Sequence, residues 1–94
     1  MRYINTVKQK DCTKWVMLVE RSQDPRYQDG VVCYSYIDRD DGPSDGGEVY
    51  FGCSVEEVKA ELEELYRFPQ SGWIAIADQS PGYRDDCIAP VPIE

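Results

Sequence analysis

Four aspartates fall close together in a segment that also contains glycines, and carboxylates at such spacing are common ligands of calcium and magnesium. They are Asp38, Asp40, Asp41 and Asp45. The EF-hand template fails, because a loop that starts at Asp38 has Pro43 where the glycine is required and Val49 where the final glutamate is required. We expect a solvated loop with no assigned metal site, and a weak cation site of another kind stays an alternative.

The same segment also fails as a phosphate-binding loop. Gly42 and Gly47 have the outer spacing of that motif, but Glu48 stands where the motif needs lysine. The chain contains no histidine, which removes the Ser–His and Cys–His nucleophile pairs and imidazole metal ligands. We assign no catalytic residue and no cofactor, and we expect the protein not to be an enzyme.

The four cysteines are widely spaced along the chain, at Cys12, Cys33, Cys53 and Cys87. Structural zinc sites usually take their cysteines in close pairs, and none is present here. Disulfides need an oxidising compartment, which nothing in the sequence indicates. We therefore predict reduced thiols that act mainly as small core residues, and whether any of them reacts stays open.

The sequence pattern predicts a strongly acidic helix at residues 54–66. Ser54 and Glu57 have the spacing of a capping box, which predicts where the helix begins. The apolar residues form one stripe, which must pack on another element: Val55, Val58, Leu62, Leu65 and Tyr66. The opposite side is predicted to carry five glutamates: Glu56, Glu57, Glu61, Glu63 and Glu64.

Two of these glutamates lie where helix electrostatics disfavour them. Glu63 and Glu64 are close to the negative C-terminal end of the helix dipole, and Glu61 is a helical neighbour of Glu57 and Glu64. One interpretation is a soluble face built from good helix formers. The other is a docking surface for a basic protein, to which we assign the five glutamates together with the four loop aspartates.

Charge is unevenly distributed along the chain. The net charge is −8, but residues 1–27 hold six basic and three acidic residues, whereas residues 28–94 hold four basic and fifteen acidic residues. Phosphates would be repelled by the acidic part, so we predict no direct binding to nucleic acid. A basic protein would be attracted to it and would associate faster.

The elements that must position these residues are short strands around the helix. Alternating apolar residues predict strands at residues 2–8, 14–20, 31–38, 48–53 and 73–78. The second and third of these are expected to form an antiparallel hairpin. Pro90 and Pro92 predict an extended C-terminal tail, whose apolar residues should lie on the domain.

The pattern predicts an α+β fold in one domain, residues 1–94. It has an antiparallel sheet of about four to five strands with one helix packed on one face, in the order β-β-β-β-α-β. No apolar run reaches the roughly 20 residues that a membrane span needs. The first twelve residues lack the apolar segment of a signal peptide, so we expect a cytoplasmic protein with no membrane contact.

The function that fits best is inhibition of a basic partner, such as a nuclease or a nucleic-acid-binding effector. In size and acidity the chain resembles immunity proteins against nuclease toxins and phage-encoded anti-CRISPR proteins. That resemblance is compositional and assigns no residue. One alternative is a structural or accessory subunit that binds through a sheet face or edge; a second is a metal-dependent or thiol enzyme.

Overall fold

The computed structural model confirms an α+β fold, and it describes residues 1–20, 30–37, 42–43 and 47–93. Within these residues the strands and the helix, in chain order, are β1 (Arg2–Lys8), β2 (Thr13–Val19), β3 (Gly30–Tyr36), β4 (Glu48–Phe51), α1 (Val55–Tyr66) and β5 (Ile74–Ile76). The strands form one antiparallel sheet in the order β4-β3-β2-β1-β5. The predicted hairpin of β2 and β3 is confirmed.

Both faces of the sheet are apolar because the central strands alternate their side chains. From β2, Val16 and Leu18 point to the helix side, whereas Met17 and Val19 point to the other side. Strand β3 continues both layers through Cys33 and Tyr34. Each face therefore needs its own cover, which α1 supplies on one side and the C-terminal segment supplies on the other through Ile88.

Helix α1 begins with the predicted capping box and is anchored by Val55, Val58 and Leu62, all buried. The expectation that Leu65 and Tyr66 continue this buried stripe is wrong, because they are 60% and 47% exposed. The helix ends where Arg67 turns the chain in the left-handed conformation (φ 63°), and Phe68 then enters the core. Phe68, rather than the last helical turn, fills that part of the core.

The segment after the helix is docked by a buried asparagine of β1. The Asn5 amide donates to the Pro69 carbonyl at 2.9 Å, beside a 3₁₀ turn at Gln70–Gly72. A side chain at Gly72 would clash, because its Cβ would come within 2.3 Å of the Asn5 Oδ1 atom. This close packing fixes where Trp73 enters the sheet.

A buried arginine holds the C-terminal segment against the second face. The Arg2 guanidinium donates to the carbonyls of Ala77 (3.0 Å) and Cys87 (2.8 Å), and contacts the Met17 sulfur at 3.2 Å. The buried Tyr36 hydroxyl donates to the Asp86 carbonyl. The prediction that the tail lies on the domain is thus confirmed, and polar groups at the edges of the apolar layer hold it there.

Two leucines of the same helix give a matched test of the core boundary. Leu62→Ala should lower the free energy of unfolding by about 3 kcal/mol, because it opens a cavity under the helix. Leu65→Ala should change it by less than about 0.5 kcal/mol, since Leu65 is already largely exposed. Urea unfolding followed by circular dichroism measures both, and equal losses would contradict the described helix boundary.

The hydrogen bonds from Arg2 to the Ala77 and Cys87 carbonyls, which we call the arginine clamp, are tested by Arg2→Met. This variant keeps an apolar stem but removes the donors to two carbonyls, so unfolding should become easier by about 2 kcal/mol. Lys8→Met, which removes an exposed positive charge from the same strand, is the control and should be close to neutral. A neutral Arg2→Met would show that the tail is held by Ile88 and its apolar neighbours alone.

Candidate functional site

The five predicted glutamates lie on α1 on the side away from the sheet, and we call them the acidic face. They are Glu56, Glu57, Glu61, Glu63 and Glu64. Glu63 is partly buried and the other four are exposed. Their local contacts differ, and these contacts separate glutamates that stabilise the fold from glutamates that do not.

Glu57 stabilises the start of the helix. Its carboxylate accepts a hydrogen bond from the Ser54 backbone N–H at 3.0 Å, and its own N–H donates to the Ser54 hydroxyl at 3.2 Å. The hydrogen bond from the Ser54 backbone lowers the pKa of the Glu57 carboxyl, and the Ser54 side chain lowers it further. The support that this carboxylate gives is therefore present above the ordinary glutamate pKa and is lost as the pH falls below it.

Glu56 is paired with the one lysine of the helix. The Lys59 ammonium lies 3.4 Å from the Glu56 carboxylate. It also lies over two aromatic rings, 4.3 Å from the centre of Tyr3 and 5.7 Å from that of Trp73. Only 14% of the lysine side chain is exposed, so the positive charge of Lys59 is held between the helix and the sheet.

Glu63 accepts a hydrogen bond from Trp73, the residue directly before β5. The Trp73 indole N–H donates to the Glu63 carboxylate at 2.8 Å. A partly buried indole N–H needs an acceptor, and this carboxylate supplies it. The contact explains why an acid is kept at a helix position that the dipole disfavours.

Glu61 and Glu64 have no comparable role. Among the described residues neither carboxylate makes a hydrogen bond or an ion pair, and the last helical turn holds no basic residue. Glu64 therefore lies near the negative end of the dipole, and no ion pair joins it to Arg67, the basic residue that caps the helix. These two residues carry the free negative charge of the acidic face.

The four loop aspartates are not placed by the structure. Asp38, Asp40, Asp41 and Asp45 lie outside the described residues. Their assignment to the partner surface therefore stays a prediction. Among the residues that are described, no three Cys, Asp or Glu side chains gather closely enough to hold a metal ion.

The cysteines are all free thiols, in three different environments. Cys33 and Cys87 are buried, Cys53 is half-buried and Cys12 is exposed. Burial raises the pKa of the Cys33 thiol to about 12, and it also raises that of Cys87. Both therefore stay protonated at neutral pH. They are poor nucleophiles in this state, since only a thiolate is a good nucleophile. The prediction that the cysteines are core residues holds for these two and is wrong for Cys12.

Four of the five glutamates are exposed, as the helical pattern indicates, but only part of their local contacts can be read from the sequence. The i,i+3 spacing of Glu56 and Lys59 was a usable signal for their ion pair. The bond between Glu63 and Trp73 had no sequence signal, because it depends on how the chain returns to the sheet after the helix. Glu56, Glu57 and Glu63 thus have structural partners, whereas the side chains of Glu61 and Glu64 have none among the described residues.

Alanine substitutions at two neighbouring positions test the difference between a glutamate with a structural partner and one without. Glu63→Ala should lower the free energy of unfolding by about 1 to 2 kcal/mol, because the Trp73 indole loses a charged acceptor. Glu64→Ala makes the same change in composition and charge but should be neutral within about 0.5 kcal/mol. Urea unfolding with tryptophan fluorescence is the measurement, and an equal effect of both substitutions would contradict this distinction.

Comparison of the chain with family models, with curated proteins and with solved structures found no match in any of the three. No helix in the described ranges is both long enough and apolar enough to span a membrane.

Proposed function

We propose that the protein is a small inhibitor that binds the basic surface of a nucleic-acid-handling partner through its acidic face. The observation that supports this proposal is the pair Glu61 and Glu64. They are held on a firmly packed helix, without an ion pair to any described residue, at positions that cost rather than add stability. A partner that supplies the missing positive charge would turn that cost into binding energy.

Long-range electrostatics favours the same type of partner. With a net charge of −8, the chain repels polyphosphates and attracts basic proteins. Carboxylates on a rigid helix can compete with nucleic-acid phosphates for the same lysines and arginines. This mode of action agrees with the compositional resemblance to immunity and anti-CRISPR proteins.

The packing of α1 suits a docking element. Its buried side is anchored by Val55, Val58 and Leu62, and its flank is held to the sheet through Lys59 and Glu63. The backbone that carries Glu61 and Glu64 is therefore ordered before any partner arrives. Less conformational entropy is lost on binding when the surface is already ordered.

An accessory subunit that binds through a sheet edge is the second candidate. The helix and the tail cover the two faces of the sheet, but β4 and β5 are its edge strands. Phe51 of β4 and Ile74 of β5 are 66% and 58% exposed, which favours apolar contact at an edge. Such binding would depend little on salt.

The proposal is tested by affinity capture with charge variants. At about 50 mM salt, the tagged protein should retain a basic nucleic-acid-binding protein, which duplex DNA or about 0.5 M salt should release. Glu61→Gln combined with Glu64→Gln should weaken this binding about tenfold in a calorimetric titration, because two exposed charges are lost.

The control is Glu20→Gln combined with Asp78→Asn. It changes the net charge equally, but these two exposed carboxylates pair with the N-terminal ammonium, at 3.8 and 3.0 Å, and lie outside the acidic face. Its affinity should stay near that of the unchanged protein. Equal weakening by both double variants would reduce the effect to net charge, and binding that survives 0.5 M salt would favour the sheet edge.

A further inference from the structure

A pocket of about 200 Å³ opens between the end of α1 and the neighbouring ends of β2, β3 and β4. Its floor is apolar and belongs to the core, with Val16, Cys33, Leu62 and Phe68. The helix stops at Tyr66 and the chain turns at Arg67, so among the described residues no helical turn extends over this corner of the sheet. Its volume is below the roughly 300 to 1,000 Å³ of most small-molecule sites but suits one side chain.

The rim of the pocket is polar and charged. Lys14 and Glu48 line it from the strands, together with Tyr50. Tyr66 lines it from the helix, and the Lys14 ammonium lies 4.8 Å from the centre of the Tyr66 ring. The Lys14 ammonium therefore already contacts an aromatic ring. The Glu48 carboxylate, in contrast, makes no hydrogen bond or ion pair with a described residue.

Glu61 of the acidic face does not line the pocket but directly precedes Leu62, which does. Burial raises the pKa of the Tyr50 hydroxyl, and electrostatic interactions with Cys33, Glu48 and Glu61 raise it further. Glu61 thus acts on the same hydroxyl as Glu48, which belongs to the rim. Glu48 thus lines the side of the pocket where Tyr50 lies and Glu61 lies near that side, and neither carboxylate has an ion pair with a described residue.

The last turn of α1 carries two exposed apolar side chains, one of which, Tyr66, lines the pocket. Leu65 and Tyr66 form the last turn of α1 and are 60% and 47% exposed, although their spacing fits the buried stripe. Side chains of this size gain about 1.5 to 3 kcal/mol when they are buried. A partner that covers them would gain energy that the isolated fold leaves unused.

Exposed ion pairs alone would bind a partner weakly. Each contributes roughly 0.2 to 1 kcal/mol, and stable interfaces depend on a few desolvated anchors inside a polar rim. The pocket, the exposed last turn and the two flanking carboxylates have this arrangement of anchor and rim.

We infer that the pocket receives one bulky apolar side chain of the basic partner, with Leu65 and Tyr66 closing over it and with Glu48 and Glu61 pairing with flanking basic residues. This inference rests on the proposed function, since the same partner contacts the acidic face. It identifies the recognised element as an apolar residue between basic ones.

Two synthetic peptides test the inference. Both are capped, rich in arginine and equal in charge, and they differ only at the central residue, which is phenylalanine in one and serine in the other. At about 50 mM salt the phenylalanine peptide should bind about tenfold more tightly, because it buries an aromatic side chain. In nuclear magnetic resonance spectra it should shift the amide signals of Ser35, Leu62 and Tyr66.

The variant Leu65→Ser combined with Tyr66→Ser should remove most of the advantage of the phenylalanine peptide. Both residues are largely exposed, so the fold should survive, and thermal unfolding checks that it does. Ile74→Ser, at a residue 58% exposed on the edge strand β5, is the control and should keep the advantage.

The outcomes separate the pocket from the proposed function. Equal affinity for the two peptides, or amide shifts confined to residues away from the pocket, would overturn the pocket and leave the acidic face intact. If both peptides bind the Glu61→Gln, Glu64→Gln variant at about 0.5 M salt as tightly as they bind the unchanged protein at about 50 mM salt, and the phenylalanine advantage is kept, the pocket is supported and the charge-based function is contradicted. Self-association of the chain that blocks binding of the phenylalanine peptide and that Leu65→Ser with Tyr66→Ser abolishes would identify a second copy as the occupant and overturn the inference.

Discussion

The structure depends on one constraint, which is that the central strands make both faces of the sheet apolar. All four residues from Val16 to Val19 are buried, and alternate ones belong to different layers. Neither layer is stable in water, so each needs a cover. The helix can supply only one cover and must turn its polar side outward, whereas the other cover comes from a segment with little regular structure. The position of the acidic face follows from this division.

The acidic face combines two kinds of residue. Glu57 and Glu63 stabilise the protein by capping the helix and by accepting the Trp73 indole bond. Glu61 and Glu64 add charge without a side-chain partner among the described residues. Lysine or arginine in the last turn would be more favourable for stability, because the dipole favours cations there. The contrast lies between neighbouring residues of one helix, so substitutions can separate the two kinds of glutamate.

Much of the fold could be predicted from the sequence because its signals are local. Alternation in β2 and β3 assigns each side chain to the correct layer, and the spacing of Ser54 and Glu57 locates the start of the helix. The end of the buried stripe could not be predicted, because it depends on Arg67 adopting a left-handed conformation that brings Phe68 into the core. The bond from Trp73 to Glu63 and the clamp of Arg2 join distant parts of the chain, and no local pattern encodes them.

The clamp of Arg2 has a consequence for the timing of folding. Its guanidinium binds carbonyls 75 and 85 residues further along the chain, and β1 pairs with β5, the last strand in the described sequence. Contacts between such distant positions form slowly, since a long loop must close first. A nascent chain leaving the ribosome would therefore hold β1, β2 and β3 with one apolar layer uncovered until the segment that contains Ile88 had been synthesised. During that interval the half-made sheet would be most prone to aggregation and most in need of a chaperone.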